Sequence, residues 1–199
     1  MDGPQITSQN ERALLKAINN SLFQAVYQNN IDELAALLAA GANPDTANFD
    51  GGTAVWYAAR SGKTECLRML ITARADVNIA NQYGVTPVLI AAEGGKTECL
   101  RMLIRARADV NTANQYGETP VLIAARWGNP ECLRMLIEAR ADLNTPDQFG
   151  YTPVLIAAAE GNQECLRMLI EARADVNTPD QWGKTPVFAA ARRGNADCL

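Results

Sequence analysis

Apolar residues along this chain fall into short blocks that return at a fixed spacing. Val88-Leu89-Ile90-Ala91-Ala92 is one block, Leu100, Met102, Leu103 and Ile104 form the next, and both recur 33 residues later. The pairs Tyr83-Gly84, Tyr116-Gly117, Phe149-Gly150 and Trp182-Gly183 keep the same period, as do Cys66, Cys99, Cys132, Cys165 and Cys198. Ala80–Thr112 and Ala113–Thr145 differ at seven positions, without a gap. A period this strict means one supersecondary unit copied in a row and held by contacts between neighbours.

Within a unit the pattern predicts a turn followed by two short helices. In Asn81-Gln82-Tyr83-Gly84 the glycine supplies backbone free to take positive φ, as a tight turn needs. Thr86-Pro87 opens the first helix, with proline where its missing N–H has no partner to lose. That helix ends at Gly94-Gly95. The second begins near Thr97 and runs through Ile104 with apolar residues spaced for one buried face. Asn129-Pro130-Glu131 marks the same start more plainly, as N-cap, proline at the first position and an acid in the first turn. Isolated helices shorter than about 12–15 residues are marginal in water, so stacking on adjacent copies must hold these.

The units resemble ankyrin repeats. The family's TPLHLAA motif appears as Thr86-Pro87-Val88-Leu89-Ile90-Ala91-Ala92 and again from Thr119, Thr152 and Thr185. Its GADVN segment appears as Arg107-Ala108-Asp109-Val110-Asn111, and most closely as Gly41-Ala42-Asn43-Pro44-Asp45. The resemblance implies an all-α fold of helix-turn-helix repeats with β-turn or hairpin fingers, an ankyrin-type α-solenoid. The expected organisation is an N-terminal segment with a capping helix at 1–19 and a degenerate first repeat at 20–46. Full repeats follow at 47–79, 80–112, 113–145 and 146–178, and a truncated one at 179–199. The capping helix rests on Ser8-Gln9-Asn10-Glu11, which has capping-box spacing ahead of an apolar pattern at Ala13, Leu14, Leu15, Ala17 and Ile18. Leu199 falls where the last repeat's second helix should be continuing, which predicts a longer natural chain.

Two positions depart from the family. Its motif histidine is replaced by Trp56, Leu89, Leu122, Leu155 and Phe188, where an apolar side chain is expected to pack. Its helix-ending glycine becomes Arg74, Arg107, Arg140 and Arg173. Either each arginine accepts left-handed backbone at about 1 kcal/mol, or the helix ends differently.

Composition narrows the chemistry. Hydrophobic residues make up 48% and charged residues 20%, an ordinary globular balance. Eighteen Lys and Arg against 22 Asp and Glu leave a net charge of -4, which lacks the broad cationic field of non-specific nucleic-acid binding. No histidine is present, which removes the commonest neutral-pH acid–base group and every Ser-His or Cys-His dyad. The polar N-terminus Met1-Asp2-Gly3-Pro4 does not read as a secretory signal, and no apolar run is long enough to span a bilayer. The expectation is a cytoplasmic protein, with the nucleus also open.

The recurring polar residues read as framework. Stacked helices lie about 8–10 Å apart, beyond the roughly 7 Å that a disulfide between equivalent cysteines requires. With no C-x-x-C and no histidine, no zinc site is expected either, and the cysteines read as small buried hydrophobes. Glu65, Glu98, Glu131 and Glu164 each precede an arginine by three residues, which reads as a solvated face of weak ion pairs. Gly94-Gly95-Lys96-Thr97 carries only the tail of a phosphate loop. No catalytic residue, metal or cofactor is expected.

The informative columns are those in which the copies disagree. Val85, Glu118, Tyr151 and Lys184 form one; Glu93, Arg126, Ala159 and Arg192, with Gly94, Trp127, Glu160 and Arg193 beside them, form the others. Resemblance to ankyrin repeats places them on the concave recognition face, beside the tip row Tyr83, Tyr116, Phe149 and Trp182. Aromatics interleaved with arginine have the composition of interface hot spots; the alternative is that the tip aromatics stack on one another for stability alone. The candidate partner-binding residues are therefore Tyr83, Tyr116, Glu118, Arg126, Trp127, Phe149, Tyr151, Trp182, Lys184, Arg192 and Arg193. The expected activity is non-catalytic docking of a protein partner by a monomer, with neither nucleic acid nor membrane as ligand. The competing reading is a scaffold segment of a longer multidomain protein whose activity lies beyond residue 199.

Overall fold

The structure is a computed structural model in which residues 21–198 are described. The capping helix expected within residues 1–19 lies outside them. Helix α1 covers 21–28. It is followed by α2 (Ile31–Ala39), α3 (Ala54–Ser61), α4 (Thr64–Thr72), α5 (Pro87–Glu93) and α6 (Thr97–Arg105). Then come α7 (Pro120–Arg126), α8 (Pro130–Glu138), α9 (Pro153–Glu160), α10 (Gln163–Glu171), α11 (Pro186–Arg193) and a short 3-10 turn at Ala196–Cys198. First helices α3, α5, α7, α9 and α11 pack as one row, and second helices α2, α4, α6, α8 and α10 as another.

Each first helix starts where its threonine dictates. The hydroxyls of Thr53, Thr86, Thr119, Thr152 and Thr185 accept from the backbone N–H three residues on, at 3.2–3.3 Å. The N–H so bound belongs to Trp56, Leu89, Leu122, Leu155 or Phe188, the residue at the family's histidine position. The three leucines there are 1% exposed or less, so the expected apolar packing is found. Phe188, on the last helix, stays half exposed.

Second helices start differently. Asn129 stands at the N-cap of α8, yet its side chain makes no cap bond. Its amide instead donates across the stack to the carbonyls of Ala92 and Glu93, at 2.8 and 2.9 Å. Asn162 and Asn195 repeat this on Ala125 with Arg126 and on Ala158 with Ala159. Each pair satisfies carbonyls that a helix end leaves without intrahelical partners. The sequence pattern read Asn129 as a local cap; the structure assigns it to the neighbouring repeat.

The core is a continuous strip. Cys66, Cys99, Cys132 and Cys165 are buried beside Leu67, Leu100, Leu133 and Leu166, and all five cysteines are free thiols. Burial pushes Cys99, Cys132 and Cys165 up to about 11, so they keep their protons at neutral pH. The i,i+3 ion pairs Glu65–Arg68, Glu98–Arg101, Glu131–Arg134 and Glu164–Arg167 form on the exposed face of the second helices.

Between the second helix and the next finger runs a side-chain ladder. The carboxamides of Asn78, Asn111 and Asn144 accept from the N–H of Asp109, Asp142 and Asp175, each at 2.8 Å. Each aspartate in turn accepts from the N–H two residues on and from a threonine hydroxyl. These donors hold the Asp109 carboxyl below its ordinary range, with the Asn111 N–H the largest cause; for Asp142 and Asp175 the hydroxyls of Thr145 and Thr178 lead.

The arginines at the glycine position adopt left-handed backbone, with φ of 62°, 63°, 60° and 63° at Arg74, Arg107, Arg140 and Arg173. The first of the two possibilities raised by the sequence is thus the one realised. Arg140→Gly should raise unfolding free energy by about 0.5–1 kcal/mol, whereas glycine at Glu138, the last helical residue of α8, should lower it by about as much; urea unfolding of both variants checks the opposed signs. The lowered aspartate values carry a second prediction. Their contribution is complete above the unfolded carboxylate range and is lost as pH falls through the folded values. A variant with Asp109, Asp142 and Asp175 all changed to Asn should therefore show a shallower fall in urea midpoint between about pH 5 and pH 3 than the wild type.

Candidate functional site

The variable columns lie on the finger tips and the ends of the first helices. Each tip is shaped by one side chain, Asn48, Asn81, Asn114, Asp147 or Asp180, whose Oδ1 accepts two backbone N–H groups within the turn. Adjacent tips are tied by one backbone bond each, from Gln82 to Asp50, Gln115 to Tyr83, Gln148 to Tyr116 and Gln181 to Phe149. That approach is why the tip residue must be glycine: Gly117 has φ of 79°, and a Cβ there would lie 3.0 Å from the Gln148 nitrogen.

On this frame the expected residues separate into two groups. Glu118 and Arg126 are consumed inside the stack. Arg126 pairs with Glu118 of its own repeat and, at 3.3 Å, with Asp147 of the next, whose side chain is 2% exposed. The tip aromatics and Trp127 stay available: Tyr83, Tyr116 and Phe149 are 43–48% exposed, and Trp127 and Trp182 are 59% and 56% exposed.

Toward the C-terminal end the rings gather. Phe149 stacks on Trp182 with centroids 6.4 Å apart and planes 14° apart, and Tyr151 lies 6.3 Å from Phe149 and 6.1 Å from Trp182. Such contacts contribute roughly 0.5–1.5 kcal/mol each beyond burial, so stacking for stability holds for part of this cluster. The Lys184 ammonium sits 5.4 Å from the Trp182 ring centre, and Arg193 lies 3.7 Å from Glu160. Arg192 is exposed on the same helix end.

The N-terminal tip differs in a way the sequence did not reveal. Asp50 stands in the aromatic column, and the Tyr57 hydroxyl donates to its carboxylate at 3.1 Å while accepting from the Asn48 amide at 2.7 Å. Burial, chiefly, raises the Tyr57 hydroxyl above its ordinary value. Trp56 donates its indole N–H to the Val85 carbonyl at 3.0 Å, and Arg60 lies 5.4 Å from its ring centre. The sequence shows Asp50 in the aromatic column and Tyr57 breaking an otherwise aliphatic column of Ile90, Ile123 and Ile156, but nothing local marks the bond between them.

The family model for ankyrin repeats, three copies long, matches residues 22–114, 71–147, 107–180 and 139–199. The chain belongs to the ankyrin repeat family. A search of curated proteins returns no match. Ankyrin repeats are in general protein–protein interaction modules, and the family is typically non-catalytic. Among the described residues no helix is long and apolar enough to cross a membrane.

The separation into two groups is open to measurement. Arg126→Ala should lower unfolding free energy by about 2 kcal/mol, because the buried Asp147 carboxylate and Glu118 lose their shared cation. Trp127→Ala, next along the chain and exposed, should stay within about 0.5 kcal/mol of wild type. Thermal or urea unfolding of the two variants side by side distinguishes them.

Proposed function

We propose that this array is a non-catalytic module that docks a protein partner against its finger tips and first helices, the concave face of an ankyrin stack. The observation that carries the reading is the set of large aromatic side chains held in water by a rigid frame. Trp127, Phe149, Tyr151 and Trp182 anchor the contact, Tyr83 and Tyr116 extend it toward the N-terminus, and Lys184, Arg192 and Arg193 form a cationic rim. Arg126 and Glu118 shape the floor through their shared ion pair. Rings carried on tips tied to one another by backbone hydrogen bonds are held ready for contact, which lowers the ordering cost that hot spots must overcome. The proposed chemistry is recognition, and the buried thiols of Cys99, Cys132 and Cys165 serve the framework. Free thiols, one in each repeat from 47–79 onward, suit a reducing compartment, and the cytoplasm is the proposed location.

The experiment is affinity capture from the native source with wild type and with the Trp127→Ala, Trp182→Ala double variant, followed by titration of the protein captured. The double variant should bind that protein at least about 30-fold more weakly, as loss of two central anchors implies, while still unfolding cooperatively, with its thermal midpoint lowered only by the lost Trp182 ring contacts. Equal affinity of the two forms would remove the proposed surface.

A further inference from the structure

The repeat allows the molecule to be compared with itself one step along. At the step between α7 and α9, the Arg126 guanidinium joins Glu118 of its own repeat to the buried Asp147 of the next tip. One repeat later the same three positions hold Ala159, Tyr151 and Asp180. The carboxylate is kept and the guanidinium is gone. Asp180 is 5% exposed, and its Oδ1 accepts from the N–H groups of Trp182 and Lys184 at 2.9 and 2.8 Å. Among the described residues no cation forms an ion pair with it.

The space that an arginine at position 159 would enter is open. A cavity of about 120 Å³ lies between α9 and α11, lined by Tyr151, Leu155, Ile156, Ala159, Asp180 and Phe188 together with the rim cations. A single water needs only about 10–15 Å³, so a planar guanidinium and its last methylenes fit. Apolar walls suit the methylenes, and the Tyr151 ring, standing where Glu118 stood, offers a face for cation–π contact. The neighbouring cations are engaged elsewhere: Arg193 lies by Glu160 and Lys184 over Trp182. Arg192 is the counterpart of Arg126, but Lys184 occupies the place of Glu118, and Arg192 forms no ion pair among the described residues.

We propose that the cavity between α9 and α11 is the seat of an arginine side chain from the docking partner, which completes on Asp180 the ion pair that Arg126 completes on Asp147. Arg192, which forms no ion pair among the described residues, then receives an acidic residue flanking that arginine. The partner segment is therefore of mixed charge rather than simply acidic. This inference rests on the concave face being the docking surface.

The test uses the isolated protein and a small probe, so its failure leaves the docking reading standing. N-acetylarginine amide is titrated into ¹⁵N-labelled protein, with the uncharged isostere N-acetylcitrulline amide as control. The expected result is saturable shifts at the Trp182 and Lys184 amides, which share Asp180 Oδ1, with citrulline at least about tenfold weaker. Asp180→Asn should weaken the arginine response about tenfold. It should also preserve the turn, because Asn81 accepts the same two N–H groups in its own repeat, both at 3.0 Å. Ala159→Arg should fill the seat from within and abolish the response. Absence of saturable shifts, equal response to citrulline, or wild-type affinity in either variant overturns the proposal.

Discussion

Helices of seven to nine residues are too short to persist alone in water, and this constraint governs everything else in the molecule. A helix exists here only because its neighbours remove its apolar face from solvent. The sequence answers with redundancy. Each repeat from 47–79 to 146–178 brings the same cysteine and leucines to the shared strip, and every interface is built from a few local contacts rather than a central core. Polar side chains are then used where water cannot reach backbone. Threonine closes the start of each first helix, asparagine closes the end of the neighbour's, and an Asn or Asp closes each finger.

Because the frame is discharged by so few positions, the remaining ones are left to vary. The tip residues and the last turn of each first helix touch little that the frame needs, and there the copies differ. Variation is not the same as availability, however. Arg126 and Glu118 vary as much as Trp127 does, yet they neutralise one another and a buried aspartate, while Trp127 projects into solvent. The proposed docking face is thus a mosaic of side chains tied down by the stack and side chains exposed to water.

The period, the helix limits, the threonine caps and the buried thiols were legible in the sequence because each depends on residues within one repeat or on identical copies of it. What escaped depends on register between repeats. Arg126 lies 21 positions from Asp147, and Asn129 lies 37 from Ala92; nothing local marks either pairing, and a proline after Asn129 invited the reading of a cap. The arginines with left-handed backbone stood between. Their column was visible, but the choice between strain and a different helix end required the φ angles. For the candidate surface the columns were readable, whereas the gathering of Phe149, Tyr151 and Trp182 into one cluster required the geometry of adjacent tips.

The asparagine clamps have one more consequence. They are present where Asn129, Asn162 and Asn195 reach back, but the same column holds Lys63 and Lys96 in the earlier repeats. The Lys96 methylenes lie near Gly62, and among the described residues its side chain forms no hydrogen bond to the helix before it. The array is therefore not uniform along its length. Three consecutive joints are fastened by these amides, whereas the joint between α3 and α5 lacks the clamp and is held by the Trp56 indole bond to Val85, the Asp109 N–H bond to Asn78 and the tip bond from Gln82 to Asp50. The leading joint thus exchanges a clamp on two carbonyls for a single indole bond, which no other residue in the Trp56 column could donate, so the two ends of the array are fastened by different chemistry.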